Sequence, residues 1–87
     1  MYIKILSNND SYTWGGTLRP EKVTVGKVYE VLEIHTVRSR CKAYSVHPDN
    51  NIYHTWWIYE EDEHGNSLRH HFTIIQNLLL RLPMVGV

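Results

Sequence analysis

Histidine and cysteine side chains are the groups of this 87-residue chain best suited to bind a metal ion or to catalyse a reaction. They are six histidines and one cysteine: His35, His47, His54, His64, His70, His71 and Cys41. Zinc sites need four converging ligands, which usually include close pairs such as C-x2-C. One cysteine cannot form such a pair, and the adjacent His70 and His71 would point to opposite faces of a strand. We therefore expect histidines that pack or face solvent, and no metal site.

Nucleophilic catalysis would require a base and an orienting group beside Cys41 or a serine. The sequence contains no G-x-S-x-G elbow, no Walker motif and no glycine-rich dinucleotide fingerprint. The pattern predicts a protein that is not an enzyme and that uses no cofactor.

The composition is typical of one globular domain that has equal numbers of basic and acidic residues. The hydrophobic fraction is 43% and the net charge is zero with neutral histidines, which argues against a protein held mainly by phosphate contacts. A single cysteine excludes an intramolecular disulfide. The N-terminus lacks the apolar region of a signal peptide, and no apolar run approaches the roughly 18 residues that span a bilayer. We expect a soluble cytoplasmic protein.

Aromatic residues are the most unusual feature of the chain. Five of them lie between positions 44 and 59, and one lies in the N-terminal part: Tyr44, Tyr53, Trp56, Trp57, Tyr59 and Trp14. Because side chains alternate along a strand, both faces of a strand over residues 52–59 would carry rings, and only one face can be core. The sequence leaves open which of Trp56 and Trp57 is exposed. We predict that Trp14, Trp56, Trp57 and Tyr59 anchor a partner protein.

The acidic run over residues 60–63 follows these aromatics. It lacks the alternating oxygen ligands of a calcium-binding loop and is typical of a solvated hairpin tip. The second interpretation is contact with a basic partner surface through Glu61 and Asp62.

An alternative function is binding of a nucleic acid or nucleotide through base stacking. The residues available for it on neighbouring predicted strands are Arg38, Arg40, Lys42, Tyr44 and Arg69. The zero net charge disfavours this alternative, since backbone contacts supply most of the affinity for nucleic acids.

The last residues, 76–87, form an apolar tail that is too hydrophobic for a free terminus. It either packs on the domain or joins subunits, and we predict a homo-oligomer with an interface that includes Leu78, Leu79, Leu82, Met84 and Val85. Residues 76–82 fit either a short helix or a further strand.

Strand signals dominate the rest of the chain. Runs of β-branched and aromatic residues bounded by turn formers predict strands at 2–6, 27–37, 41–46, 52–59 and 67–75, with a long loop at 7–22. Gly26 fits a tight turn before the second strand, since glycine accepts positive φ. The apolar residues that follow do not keep period two, so we expect a bulge, with Tyr29 and Val31 in the core and Glu30 and Glu33 in solvent.

The segment TVGKVYEVLEI and the later YEEDEHGNSLRHHFTI resemble motifs of small SH3-like barrel proteins encoded by bacteriophages. The matching positions are Thr24, Gly26, Lys27, Tyr29 and Val31 in the first motif, and Asp62, Gly65 and Phe72 in the second. The resemblance covers residues 23–75. The chain departs from the family in the loop at 7–22, in the Trp56–Trp57 pair and in the tail after Ile75.

The spacing of the predicted strands indicates a single small all-β domain over residues 1–87, either a sandwich or a barrel. The resemblance favours an SH3-like barrel of five or six antiparallel strands, with a short C-terminal helix or an extra strand. It implies a phage protein in the host cytoplasm that binds a host or defence protein and inhibits it by covering a functional surface.

Overall fold

A computed structural model describes residues 1–8, 18–37, 40–49 and 51–76. These residues form six strands and one short 3-10 helix, Arg69–His71: β1 (Tyr2–Ile5), β2 (Val28–Glu30), β3 (Glu33–Val37), β4 (Cys41–Val46), β5 (Trp56–Tyr59) and β6 (Phe72–Ile75). In the part of the chain that is described, no helix has the length and apolar character needed to cross a bilayer.

The strands form two antiparallel sheets. The first has the order β2-β1-β6 and the second the order β3-β4-β5, each with three strands. This confirms the predicted all-β class, but among the described residues the two sheets remain separate and do not close into the predicted barrel. Residues 77–82, for which the sequence fits either a helix or a strand, lie outside the described residues. The predicted interface residues of the tail lie outside them as well.

The chain crosses from the first sheet to the second between β2 and β3. Val31 donates its N–H to the carbonyl of Met1 (3.0 Å), and Leu32 donates to Ser45 (2.8 Å). Because Ser45 also pairs with Glu33, two residues face one, which is the pattern of a β-bulge. The predicted strand at 27–37 is thus two strands joined by a bulge. Tyr29 is buried and Glu30 exposed, as expected.

The core lies between the two sheets. Ten buried side chains form it: Ile3, Ile5, Leu18, Val23, Tyr29, Tyr44, Val46, Ile58, Leu68 and Phe72. Leu18 belongs to the segment predicted as a surface loop, yet its side chain is fully buried. This loop therefore contributes an aliphatic side chain to the core, while Trp14 lies outside the described residues.

Gly26 has the role that the sequence predicts. Its φ is +88°, and its N–H donates to the carbonyl of Ile5 (2.7 Å), while Lys27 donates to Thr24 (3.1 Å). A side chain at this position would meet open space, so the need for glycine comes from the backbone conformation alone.

The other motif residues of this turn converge on one carboxylate, that of Asp49. It accepts hydrogen bonds from the Thr24 hydroxyl (2.5 Å), the Lys27 ammonium (2.8 Å) and the Tyr29 hydroxyl (2.5 Å). The Asp49 N–H in turn donates to Lys22 (2.9 Å). Burial raises the pKa of Asp49, but these three donors lower it by more, so that the pKa lies below its ordinary value of 3.8.

Two predicted strands are shorter in the structure because local side chains bond the backbone. Residues 52–55 form a turn instead of strand, since Asn51 accepts the N–H of Tyr53 on its side-chain oxygen (2.8 Å). Before β6, the Ser67 hydroxyl accepts the N–H of Arg69 (3.2 Å), which favours the 3-10 helix over the predicted extended chain.

Replacement of Asp49 by alanine should lower the free energy of unfolding by about 2 kcal/mol, because the charged hydrogen bonds of this carboxylate to Thr24, Lys27 and Tyr29 are lost. Urea titration measures this change. Glu21→Ala, which removes an exposed ion pair with Arg19, is the matched control and should leave the free energy of unfolding close to that of the wild-type protein. Equal effects of the two variants would contradict a special role for Asp49.

His71 should make the fold sensitive to mild acid. Its ring is buried and hydrogen-bonded to the Ser7 hydroxyl (2.5 Å), and burial, then the charge of His70, lower its pKa below the ordinary 6.5. As the pH falls, this histidine therefore binds a proton at a higher pH in the unfolded chain than in the folded protein. The contribution of neutral His71 to stability is fully present above pH 6.5 and is lost as the pH decreases towards the folded pKa. We expect the unfolding free energy to fall over that window, and less steeply in His71→Gln. An identical pH dependence in both proteins would contradict this role.

Candidate functional site

Strand β5 places its two tryptophans on opposite faces of the second sheet. Trp56 pairs with Val46, and Ile58, the next residue but one, is fully buried, so Trp56 lies on the core side. Its ring packs against the core, and the Lys22 ammonium lies 5.2 Å from its centroid. Trp57 pairs with Ser45 and lies on the outer face. Both tryptophans are half-buried, so neither is fully exposed, and Trp57 is the one that lines the outer surface of the sheet.

The outer face of this sheet carries a shallow groove. Its floor is formed by Ala43 of the central strand β4, whose small side chain is buried beneath its larger neighbours. Larger side chains on the two flanking strands form the walls. We call this surface the aromatic groove, and its lining residues are His35, Val37, Ala43, Trp57 and Tyr59.

The walls of the aromatic groove are held in place by their own contacts. The His35 ring meets Trp57 edge to face, with centroids 4.6 Å apart, and its Nε2 lies 3.2 Å from a carboxylate oxygen of Glu33. Tyr59 also packs against the core. These contacts orient the rings before any ligand binds, which reduces the entropy lost on binding.

The size of the aromatic groove limits what it can hold. Its volume is about 100 Å³. Cofactors and drug-sized ligands occupy pockets of roughly 300–1,000 Å³. The groove therefore suits one apolar or aromatic side chain of a larger partner.

The acidic hairpin uses Asp62 for its own turn. The Asp62 carboxylate accepts hydrogen bonds from the N–H groups of His64 (2.8 Å) and Asn66 (2.9 Å) and from the Asn66 side chain (3.1 Å). The backbone bond from Asn66 contributes most to a pKa below the ordinary value. Gly65 completes the turn at φ +84°. Asp62 thus stabilises a turn, and whether it also contacts a partner stays a prediction.

A second, polar cleft lies beside this turn. Its volume is about 290 Å³, and the residues around it are Arg40, Cys41, Glu61, Glu63, His64 and Gly65. Cys41 is buried, and its thiol lies 3.6 Å from the carbonyl of Lys42. Within the described ranges, no group of three or more histidine, cysteine or acidic side chains is placed to hold a metal ion.

Among the described residues proposed for base stacking, the one aromatic side chain is Tyr44. Tyr44 is buried, with its ring centroid 6.2 Å from that of Phe72 and its hydroxyl donating to Glu60 (2.7 Å). Burial and this carboxylate raise the pKa of Tyr44. Arg69 lies 3.2 Å from the same Glu60 oxygen. The ring of Tyr44 therefore offers no face to a base.

Other predicted site residues are placed as follows. Arg40 and Lys42 are exposed, and Glu61 is half-buried in a bridge with Ser67. The predicted residues that lie outside the described part of the chain are Trp14, Arg38, Leu78, Leu79, Leu82, Met84 and Val85.

Three lining residues of the aromatic groove were missed by the sequence reasoning: His35, Val37 and Ala43. The signal for them is the run of small side chains at alternate positions 41, 43 and 45, between strands with large side chains. That these side chains meet follows only from the strand register, in which Ala43 pairs with His35 on β3 and with Tyr59 on β5.

No protein-family model, curated protein or solved structure matches this chain.

Replacement of each tryptophan by alanine should separate the two faces of β5. Trp56→Ala removes a ring that packs on the core and should cost about 2 kcal/mol or more of unfolding free energy, whereas Trp57→Ala should cost about 1 kcal/mol. Chemical denaturation of both variants measures the difference. A larger loss for Trp57 would contradict the assignment of faces.

Proposed function

We propose that this chain is a non-enzymatic binding module that attaches to a partner protein through the aromatic groove. The observation that carries the proposal is a preformed groove in which Trp57, His35 and Tyr59 surround the small Ala43. Protein interfaces concentrate their binding energy where an aromatic or aliphatic side chain fills such a pocket.

The charges of the described residues favour a protein partner over a nucleic acid. Basic side chains lie against carboxylates in the pairs Arg69–Glu60, Lys27–Asp49 and Arg19–Glu21. The whole chain has zero net charge. Since phosphate contacts supply most of the affinity for nucleic acids, paired cations reduce it.

The mechanism that fits this surface is occlusion. Strand β4 is hydrogen-bonded to strands on both sides, so the groove floor is a rigid part of the sheet. A partner side chain that enters the groove would bring the flat outer face of the sheet against the surrounding partner surface and cover it. The resemblance to phage-encoded barrels supports the finer proposal that the covered surface is a functional site of a host or defence protein.

Selection from a library of random peptides tests this proposal. We expect peptides that share one large apolar or aromatic residue, and we expect Trp57→Ala to weaken their binding at least about tenfold, as for a hot-spot residue. Isothermal titration calorimetry gives the dissociation constants. The matched control is Tyr53→Ala, which removes an aromatic side chain that is 90% exposed in the turn before β5.

Two outcomes would overturn the proposal. One is that the selected peptides bind equally to the Trp57→Ala and Tyr53→Ala proteins. The other is binding of single-stranded oligonucleotides that is lost in Trp57→Ala and falls steeply with salt, which would assign the groove to base stacking.

A further inference from the structure

Strand β3 lies at an edge of the second sheet. In the part of the chain that the structure describes, it pairs with β4 alone. It is the longest of the four edge strands, with five residues against three in β2 and four each in β5 and β6. Four of its five residues are exposed and the fifth is half-buried, so the strand is open to solvent along its whole length.

The direction of the backbone groups of β4 follows from two hydrogen bonds. Glu60 donates its N–H to the carbonyl of Lys42 (3.0 Å), so the backbone of Lys42 faces β5. Leu32 donates to the carbonyl of Ser45 (2.8 Å), so the backbone of Ser45 faces β3. Because these directions alternate along an antiparallel strand, the backbone of Ala43 also faces β3.

The free backbone groups of β3 follow by the same alternation. Glu33, His35 and Val37 are opposite the β4 residues that face β3, so their N–H and C=O groups belong to the ladder with β4. The N–H and C=O groups of Ile34 and Thr36 therefore point away from β4. They form two donors and two acceptors on the open edge.

This edge lacks most of the features that prevent pairing with another strand. Natural edge strands are often protected by shortness, lysine, proline or inward charge. The sequence of β3 is E-I-H-T-V, with no lysine or proline and with its one carboxylate at the first position. Ile34 is 47% exposed and the preceding Leu32 is 38% exposed. The strand thus combines free backbone groups with uncovered apolar side chains.

We propose that β3 is the edge at which two copies of this chain associate, as antiparallel strands related by a two-fold axis at His35. In this register Ile34 faces Thr36 of the second copy, and Thr36 faces its Ile34. The two pairs form four backbone hydrogen bonds, which use every free group of both edges. A register centred on Ile34 would instead place Thr36 opposite Leu32, whose N–H is already bonded to Ser45.

The side chains fit the same register. On one face, Ile34 lies beside a threonine of the second copy, and such β-branched pairs stabilise sheets. On the other face, Glu33 lies opposite a valine, so the two carboxylates do not oppose each other. A domain of 87 residues buries a limited core and gains stability from such an interface.

The paired edges would give one six-stranded sheet with both aromatic grooves on the same face. The His35 side chain of the second copy would then stand next to His35, so the second copy extends the wall of each groove. This self-association does not depend on the proposed function, since it concerns the edge of β3, whereas the peptide test concerns the Trp57 side of the groove.

Sedimentation velocity of the full chain, from micromolar to millimolar concentration, tests the proposal. We expect a reversible dimer. Thr36→Pro removes an outward N–H without loss of a ladder bond to β4, and Ile34→Lys places a charge on the edge. Each should raise the dimer dissociation constant at least about tenfold. The matched control is Ile52→Lys, at a 66% exposed isoleucine away from β3, which should leave it unchanged.

Hydrogen exchange of the wild-type protein makes the test independent of how the variants fold. The amides of Ile34 and Thr36 should become more protected as concentration rises, while circular dichroism melting shows whether each variant is folded. A wild-type monomer at millimolar concentration would overturn the proposal. A dimer that is unchanged in folded Thr36→Pro and Ile34→Lys proteins, or a β3 edge protected at every concentration, would also overturn it.

Discussion

The Asp49 carboxylate is the contact on which the arrangement of the two sheets depends. It follows β4 in the second sheet, yet its donors Thr24, Lys27 and Tyr29 lie in and just before β2 of the first sheet. The Tyr29 hydroxyl also accepts the N–H of Thr24 (2.7 Å), so the turn and its side chains form one network. Removal of the carboxylate would break the three hydrogen bonds that join this turn to the end of β4, and hydrogen bonds to a charged group contribute more than those between neutral groups.

The same network explains the conformation of the chain after the turn. With Tyr29 held in the core, the next residues must leave the first sheet, and Val31 and Leu32 donate to different sheets within two positions. The bulge at Leu32 and Glu33 absorbs the change in direction. It also sets which backbone groups of β3 face β4 and which remain on the open edge.

The sequence predicted the elements whose residues act locally, and failed where distant residues compete. The bounds of β4 follow from a run of strand-forming residues, and the positive φ of Gly26 follows from the conformational freedom of glycine. The turn at 52–55 and the 3-10 helix were missed because Asn51 and Ser67 bond nearby N–H groups, which strand propensity does not register. The aromatic groove depends on the register of three strands, and hydrophobic alternation gives the face of each residue but not its neighbour across the sheet.

The residues of the Asp49 network are therefore separate from the two proposed binding surfaces. In the T-x-G-K-x-Y segment, Thr24, Lys27 and Tyr29 donate hydrogen bonds to Asp49, and Gly26 forms the turn. These residues therefore maintain the fold and offer little to a partner. Strand β3 contributes to both proposed surfaces, because His35 and Val37 line the groove while Ile34 and Thr36 form the open edge. A partner that adds a strand to this edge would compete with a second copy, whereas a partner that inserts only a side chain next to Trp57 would not. A partner that dissociates the proposed dimer therefore binds at the β3 edge, whereas a partner that leaves the dimer intact binds in the groove next to Trp57.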